Sequence, residues 1–264
     1  MQLNVDGTSV YAATGGRAFE AGRRTILFVH GAGLDHTNWQ LPARWFAWHG
    51  WNVLAVDLPG HGRSQGPQLA SVAEMAAWVA RLMDAAGLDS AALVGHSMGA
   101  SVALEVAAAA PDRVTRLALL GAGPAMPVND ALLTAARDTP AAAYALMTGW
   151  SLAHGSKIGG NPVPGLWLTG ASMALLARNA AGTLHRDFLA CAQWSTGPQA
   201  AGKVRCPTLL VTGANDQMTP VKVGRKLAQI IPGSAFESIP DCGHMLFAER
   251  PDAMLDALVR FYGD

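Results

Sequence analysis

The sequence predicts an α/β fold in which helices cover both faces of a doubly wound, mostly parallel sheet of eight strands. Short runs of β-branched and apolar residues alternate with longer helical patterns, which is typical of a parallel sheet. Several of these runs are continuously apolar, as expected for strands covered on both faces. The six runs that we predict as parallel strands are 25–30, 52–57, 91–95, 116–121, 208–213 and 235–239.

The remaining two strands are expected at the beginning of the chain. Segment 2–13 is predicted as an antiparallel hairpin on the sheet edge, because Asp6-Gly7 is a favoured two-residue turn. Ser71 followed by Glu74 has the spacing of a capping box, so a helix is expected to begin there. Helical patterns between the strands occupy 38–49, 71–86, 100–109, 220–231 and 251–261.

Residues 124–203 interrupt the alternation of strands and helices. This segment contains Ala/Leu/Met-rich helical patterns and a loop, 155–165, that is dense in turn-forming residues. We therefore expect residues 124–203, hereafter the helical insertion, to form a lid. The predicted core domain consists of residues 1–123 and 204–264.

Composition excludes several classes of function. The chain of 264 residues has 19 basic and 19 acidic side chains and no basic cluster, so nucleic acid is not an expected partner. Residues 1–7 lack the basic and apolar regions of a signal peptide. The Ala-rich stretch near 100–110 contains Glu105 and ends at Pro111, so it is too short and too polar to span a bilayer. Three widely spaced cysteines indicate reduced thiols. We expect a cytoplasmic protein without a membrane partner, as a monomer or homodimer.

The segment Gly95-His-Ser-Met-Gly99 carries the main chemical signal. It follows a predicted strand and leads directly into a helix. A sharp strand-to-helix turn lifts the Ser97 hydroxyl clear of the backbone and tolerates only small neighbours, which Gly95 and Gly99 provide. The helix N-terminus also directs free N–H groups towards developing negative charge. A tight turn with an incidental serine is the alternative, but this context predicts that Ser97 is a nucleophile.

A second glycine-rich segment, His30-Gly-Ala-Gly33, follows the first parallel strand. Acyl transfer needs two N–H donors for the oxyanion, and one normally comes from the residue after the nucleophile, here Met98. The other is expected from this glycine loop (residues 30–34), at Ala32, with Gly33 or Leu34 as alternatives. A phosphate-binding loop is excluded because no Gly-Lys-Ser/Thr follows. His30 itself is predicted to be structural.

A serine nucleophile requires a base, and the base requires a group that orients it. Of the eight histidines, His244 is best placed, between the last predicted strand and the last helix. Asp216 follows the penultimate strand in a Gly/Asn/Pro-rich loop, where simple turn chemistry is the alternative interpretation. The competing carboxylates Asp57, Asp130 and Asp138 are less well placed along the chain.

Over essentially its whole length the chain resembles the α/β-hydrolase family. The matching segments are His30-Gly-Ala-Gly33, Asp57-Leu-Pro-Gly-His-Gly-Arg-Ser64, Gly95-His-Ser-Met-Gly99, Pro207-Thr-Leu-Leu-Val-Thr-Gly-Ala-Asn-Asp216 and Gly243-His244. The resemblance implies the chain order nucleophile, acid, base, which Ser97, Asp216 and His244 follow. It implies a structural turn at Asp57 and His61, without a catalytic role for either. It also implies a helical cap over the active site, which the helical insertion would supply.

Several apolar side chains are candidates for a substrate pocket. Helices of a lid must also pack on something, so burial in a core is the alternative role for each of them. The predicted substrate-binding residues are Leu34, Met147, Trp150, Trp167, Met173, Trp194 and Met245.

The predicted reaction is hydrolysis of a carboxylic ester or lactone of a small to medium apolar substrate, through an acyl-enzyme on Ser97. No metal or cofactor is expected, because the sequence lacks HExxH and clustered Cys/His ligands. The aspartate-nucleophile branches of the family, haloalkane dehalogenases and epoxide hydrolases, do not fit Ser97. Prolyl iminopeptidases typically carry Trp where this chain has Met98, and meta-cleavage C–C hydrolases commonly carry Trp at the position of Met245. C–C bond hydrolysis, or a ligand receptor or lyase on the same fold, remains the alternative.

Overall fold

The structure, a computed structural model, describes residues 1–263. Within this range the chain forms one eight-stranded sheet flanked by helices, which confirms the predicted α/β class. The strands are β1 (Gln2–Val5), β2 (Thr8–Ala13), β3 (Thr25–Val29), β4 (Asn52–Val56), β5 (Ala91–His96), β6 (Val114–Leu120), β7 (Thr208–Gly213) and β8 (Ala235–Ile239).

The helices follow the predicted alternation, and the bounds of the predicted elements agree with the observed ones to within two residues. Ser71 caps its helix as expected, since its hydroxyl accepts the Glu74 N–H at 3.1 Å. The helices are α1 (Gln40–Trp48), α2 (Val72–Ala85), α3 (Met98–Ala109), α4 (Asp130–Asp138), α5 (Pro140–Ser151), α6 (His154–Lys157), α7 (Leu168–Ala177), α8 (Thr183–Gln193), α9 (Gly197–Ala201), α10 (Val221–Ile230), α11 (Leu246–Glu249) and α12 (Pro251–Tyr262).

The strand order is β1-β2-β4-β3-β5-β6-β7-β8. Strands β3 to β8 run parallel to one another, while β1 and β2 form the predicted antiparallel hairpin, and β2 joins the sheet by antiparallel pairing with β4. Its turn places Asp6 at φ 52° and Gly7 at φ 79°, the left-handed conformations that a tight hairpin turn requires.

The winding of the sheet reverses at β3, which lies between β4 and β5. Because Val29 at the end of β3 pairs with Gly95 in β5, the loops that follow these two strands are neighbours. Ligands of open α/β sheets bind in the crevice beyond the carboxyl ends of the strands at such a reversal. This topology brings the glycine loop next to Ser97.

Two apolar layers hold the helices on the sheet. On one face, side chains such as Leu27 and Val29 pack in the same cluster as α2 and α3. On the other face, Ile26 and Phe28 pack with α1 and α12. The last of these layers includes the buried Tyr262, whose hydroxyl donates a 2.6 Å hydrogen bond to the carbonyl of Leu93 in β5.

The helical insertion lies between β6 and β7 in the chain and contributes α4 to α9. None of its residues is in a strand, as the sequence predicts. Helix α4 packs against α5 and α8, and α9 packs against α3 of the core. Among residues 1–263, no helix is long and apolar enough to cross a bilayer.

We predict that Tyr262→Phe lowers the free energy of unfolding by about 1 kcal/mol, because it removes a buried hydrogen bond without changing the packing. Urea denaturation followed by circular dichroism measures this change. Tyr144→Phe in α5 is the control and should unfold within about 0.5 kcal/mol of the unmodified protein. Equal stability of all three proteins would contradict a structural role for the Tyr262 hydroxyl.

Candidate active site

Ser97 occupies the turn between β5 and α3 with φ 53° and ψ −119°. A non-glycine residue with positive φ is uncommon, and holding one in such a conformation costs roughly 1–3 kcal/mol. Backbone hydrogen bonds hold it there: the Ser97 N–H donates to the Leu120 carbonyl at 2.9 Å, and its own carbonyl accepts the Ala100 N–H at 2.9 Å. The strained residue is therefore fixed by the sheet on one side and by the helix on the other.

The glycines that flank this turn are needed for close packing. A Cβ atom on Gly95 would lie 2.6 Å from the Cα of Ala100. A Cβ atom on Gly99 would lie 2.7 Å from the carbonyl carbon of Val29, at the end of β3. Both distances are far below van der Waals contact. The small neighbours that the motif predicts are thus required by the approach of α3 to β3 and β5.

His244 and Asp216 are joined by a hydrogen bond of 2.8 Å between Nδ1 and Oδ2. Asp216 is buried and also accepts the N–H groups of Met218 and Thr219, each at 2.8 Å, and the Thr219 hydroxyl at 2.7 Å. Burial disfavours the charged carboxylate, but His244 and these donors outweigh burial and lower the pKa of Asp216. Asp216 is therefore an ionised, fully hydrogen-bonded partner for the imidazole.

Gly121, which the sequence analysis did not single out, clears the space for the His244 ring. The loop after β8 has to extend over β7 to reach the carboxyl end of β6, where Gly121 follows the strand with φ 59°. A Cβ atom at Gly121 would lie 2.9 Å from Cε1 and 3.0 Å from Nδ1 of His244. In the sequence, the signal for this role is a glycine at the end of a strand, since glycine adopts positive φ without strain.

His96 fixes the backbone of His244 and was also missed. Its Nε2–H donates to the His244 carbonyl at 2.9 Å, and the two rings lie 4.8 Å apart. Complete burial, together with His244, lowers the pKa of His96 to about 3, so this ring is neutral. The N–H of His244 donates to the Ser151 carbonyl at 2.6 Å. His244 is therefore held by His96, the residue before Ser97, and by the helical insertion.

Glu249, on α11, is a third residue that the sequence did not reveal. Its fully buried carboxylate accepts the N–H groups of Gly243 at 3.0 Å and Met245 at 3.3 Å, which flank His244. The other oxygen accepts the Ala153 N–H at 2.8 Å. One side chain thus ties the loop of His244 to the helical insertion.

In the glycine loop, two of the three candidate N–H donors are already committed. Gly33 N–H donates to Asp187 at 2.8 Å, and Leu34 N–H donates to the Gly31 carbonyl at 3.2 Å. The Ala32 N–H has no acceptor among the described residues. Of the three donors that the sequence left open, Ala32 is the one whose N–H is free.

A cavity of about 100 Å³ joins these groups. Ser97, His244 and Ala32 all line it, and Nε2 of His244 has no hydrogen-bond partner in the part of the chain that the structure describes. None of the lining residues is Lys, Arg, Asp or Glu. The other lining residues are Ala125, Met126, Pro127, Val128, Met147, Phe188, Cys191, Met218, Thr219 and Val223.

The sequence profile of the alpha/beta hydrolase fold family matches residues 24–251. The chain belongs to the α/β-hydrolase family. Over 120 residues it is 47% identical to the dihydrolipoyllysine-residue acetyltransferase component of the acetoin cleaving system of Cupriavidus necator, a match that covers 44% of the chain and 30% of that protein. The matched part of the chain therefore spans less than a third of the length of this relative.

Two further similarities extend over nearly the whole chain. A 2-hydroxy-6-oxononadienedioate/2-hydroxy-6-oxononatrienedioate hydrolase of Paraburkholderia phymatum is 27% identical, over 92% of this chain and 88% of that protein. The crystal structure of the enol-lactonase from Burkholderia xenovorans LB400 superimposes with a TM-score of 0.88 at 22% identity and covers all of both chains. At this level of identity, the similarity to the enol-lactonase shows a shared fold alone.

Of the seven pocket residues predicted for this α/β hydrolase, two line a cavity at the site. Met147 lines the cavity beside Ser97, and Trp150 lines an adjoining cavity of about 320 Å³ that shares Phe188 and Met218 with it. Five other candidates lie outside both cavities, namely Leu34, Trp167, Met173, Trp194 and Met245. Trp194 instead donates its Nε1–H to Glu105 at 2.7 Å, and Trp167 is 69% exposed. Composition marked the helical insertion as apolar, but the packing of its helices decides which side chains face the cavity.

A cluster of possible metal ligands lies away from the cavity. Asp35, His36 and Asp57 place ligand atoms within 4.8 Å of one another. Asp57 accepts the N–H groups of His36 and Arg63, at 2.7 and 2.8 Å, and also contacts the His36 ring. Asp35 accepts the Thr37 N–H at 2.8 Å. Protein donors thus occupy these carboxylates, which accounts for the cluster structurally.

The three cysteines are free thiols. Burial is the main cause that raises the pKa of each of them, so they are protonated at neutral pH. Cys242, two residues before His244, is buried in an apolar cluster. Cys191 lines the cavity instead.

We predict that Glu249→Gln lowers the free energy of unfolding by about 1–3 kcal/mol, because the amide places N–H groups against a buried N–H donor. Thermal and urea unfolding measure the change. Glu237→Gln, which alters an exposed pair with Arg260, is the matched control and should change stability by less than about 1 kcal/mol. If both variants lose the same stability, Glu249 has no special role in holding the His244 loop.

Proposed function

We propose that this α/β hydrolase cleaves a carboxylic ester or lactone, with Ser97 as nucleophile, His244 as base and Asp216 as the group that orients the base. One observation supports the proposal most strongly. Ser97, His244 with its uncommitted Nε2, and Ala32 with its free N–H all line one small, mostly apolar cavity. A nucleophile, a base and an oxyanion donor around a site for a reacting carbonyl define an acyl-transfer centre.

In the proposed mechanism, Nε2 of His244 accepts the Ser97 proton as Oγ attacks the carbonyl carbon. Asp216 accepts a hydrogen bond from Nδ1–H of His244. It therefore fixes the tautomer that leaves Nε2 free, and it stabilises the imidazolium that forms. The N–H of Met98, the first residue of α3, and that of Ala32 receive the oxyanion. His244 then returns the proton to the leaving alkoxide, and water activated by His244 releases the acid. Catalytic hydrogen bonds to the nucleophile commonly shorten only when substrate is bound.

The character of the cavity indicates the substrate class. Its volume and its mostly apolar lining fit a short, uncharged acyl group. The adjoining cavity, lined by Asn129, Trp150 and Gln217 among others, offers mixed polar and apolar contacts for the alcohol portion. We propose that the helical insertion is a cap, because Met147, Phe188 and Cys191 form part of the cavity wall above Ser97.

C–C bond hydrolysis is the alternative suggested by the Paraburkholderia phymatum relative. The name of that protein specifies substrates with two carboxylates. No cationic side chain lines the cavity beside Ser97, so such a substrate would lack a counter-ion there. The lining therefore favours an uncharged ester or lactone.

A second candidate concerns the acceptor of the acyl group. The relative from Cupriavidus necator is named as an acetyltransferase component, and its match to this chain has the higher identity, 47%. An acyl-enzyme on Ser97 can pass its acyl group to a thiol if His244 accepts the thiol proton as sulfur attacks the carbonyl carbon and then returns that proton to Ser97 Oγ, the leaving group. Adding a soluble dihydrolipoyl thiol to the ester assay and measuring thioester by mass spectrometry separates transfer from hydrolysis.

We predict that Ser97→Ala lowers the turnover of 4-nitrophenyl acetate by a factor on the order of 10⁴–10⁶, because the nucleophile is lost. A fluorophosphonate probe should label the unmodified protein at Ser97 and leave the variant unlabelled. Ser101→Ala, one turn further along α3, is the control and should keep both labelling and turnover. Labelling without turnover would favour the receptor alternative, and absence of labelling would contradict the mechanism.

We also predict that Phe188→Ala shifts the preferred 4-nitrophenyl ester towards longer acyl chains, because Phe188 forms the wall shared by the two cavities. The measurement is kcat/KM over a series from acetate to decanoate. Trp167→Ala, at an exposed position of the helical insertion, should leave the chain-length profile unchanged. An unchanged profile in Phe188→Ala would show that the acyl group binds elsewhere.

A further inference from the structure

A carboxylate of the helical insertion reaches the glycine loop without touching the cavity. Asp187 on α8 is 0% exposed, and its Oδ2 accepts the Gly33 N–H at 2.8 Å and contacts Nε2 of His61 at 2.9 Å. Asp187 is not among the residues that line the cavity beside Ser97. A buried carboxylate needs such donors and a counter-ion, and here the donor is a backbone group next to Ala32.

His61 supplies the counter-ion. Both of its ring nitrogens lie against acceptors. Nε2 contacts the Asp187 carboxylate, and Nδ1 contacts the Pro59 carbonyl at 3.1 Å. Only the doubly protonated imidazolium can donate to both. Burial disfavours that charge, but the Asp187 carboxylate, the Pro59 carbonyl and Asp57 together outweigh burial and raise the pKa of His61.

The neighbouring His30 is the opposite case, because its ring must be neutral. Nε2 accepts the Leu58 N–H at 3.1 Å, and Nδ1–H donates to the Gly31 carbonyl at 2.8 Å. Burial, together with His61, lowers the pKa of His30 to about 4. The Gly31 carbonyl belongs to the same peptide unit as the Ala32 N–H. In a trans peptide these two groups point in opposite directions, so a fixed Gly31 carbonyl fixes the direction of the Ala32 N–H.

Other contacts from the helical insertion reach the same loop. Asn179 donates its side-chain N–H to the Gly33 carbonyl at 2.5 Å, and Arg178 pairs with Asp35 at 3.0 Å. A Cβ atom on Gly33, which has φ 65°, would lie 2.9 Å from side-chain atoms of both Leu176 and Leu184. Both peptide groups of Gly33 are therefore bonded to the helical insertion.

We propose that Asp187, with charged His61 as its counter-ion, is a positioning residue that holds the glycine loop so that the Ala32 N–H faces the reacting carbonyl. This inference rests on the proposed serine-hydrolase function. The helical insertion then contributes to the rate of the reaction through Asp187, in addition to shaping the cavity. The oxyanion donor is in place only while α8 is seated on the core.

The test is Asp187→Asn, which keeps the shape of the side chain and removes its charge. The amide oxygen can accept a hydrogen bond from the Gly33 N–H or from His61, but it carries no charge to compensate the imidazolium of His61. We expect kcat for 4-nitrophenyl acetate to fall about 10- to 100-fold with KM within twofold, because a misplaced oxyanion donor weakens only the transition state. Inhibition by a boronic acid, which forms a tetrahedral adduct, should weaken by a similar factor. Inhibition by the product carboxylic acid should not change.

Hydrogen–deuterium exchange provides a readout that does not depend on activity. We expect the peptide that covers the glycine loop to exchange faster in Asp187→Asn. Asp138→Asn, which alters the exposed pair with Arg137 in the same helical insertion, is the matched control and should alter neither exchange nor kinetics. His61→Gln serves as a second variant if Asp187→Asn fails to fold by circular dichroism, and it should reproduce the same loss.

The outcomes are separable. If the exchange of the loop is unchanged in a folded variant, Asp187 does not hold the loop and the inference is overturned. If exchange rises while kcat stays constant, or if boronate and product binding weaken together, positioning of the oxyanion donor is overturned. If the unmodified protein neither hydrolyses esters nor reacts with a fluorophosphonate, the proposed function fails, while the exchange data still decide whether Asp187 holds the loop.

Discussion

The parallel pairing of β3 with β5 is the constraint on which the site depends. It places the glycine loop and the Ser97 turn side by side at the reversal of the sheet. Helix α3 can start there only because Gly95 and Gly99 have no side chains. The strain at Ser97, with φ 53°, is held by bonds to β6 and to α3. His244 then has to approach over β7 and β6, which makes the absence of a side chain at Gly121 part of the same geometry.

Buried carboxylates organise the loops beyond the strands. Asp216 accepts three protein donors besides His244, Glu249 accepts three backbone N–H groups around His244 and Ala153, and Asp187 bonds Gly33 and His61. Loops without regular secondary structure still have to satisfy their buried N–H groups. Here acidic side chains from distant parts of the chain do so, and each one also fixes the direction of a neighbouring functional group.

The sequence was sufficient for the fold and for the groups that lie near each other along the chain. Strand and helix bounds agreed to within two residues because alternation and periodicity are local signals, and the strand–turn–helix context of Ser97 was predicted for the same reason. His96, Gly121 and Glu249 were missed, since a buried histidine, a glycine at the end of a strand or a buried glutamate leaves no recognisable motif in the sequence. The pocket residues were predicted least well. Met147 and Trp150 face the cavities, whereas Trp167 and Trp194 do not, because side-chain direction on the insertion helices is set by packing between helices and not by composition.

Helix α8 carries Asp187 and Phe188 on consecutive residues, the first bonded to the glycine loop and the second lining both cavities. On the proposed function, substrate selectivity and reaction rate would therefore depend on two consecutive residues. Diversification of this helix, in the laboratory or in evolution, would alter substrate range and catalytic proficiency together. The walls contributed by Met126, Val128 and Met147 lie outside α8 and can change with less effect on the loop. On the same proposal, substrate range could be varied at these positions while α8 is left unchanged.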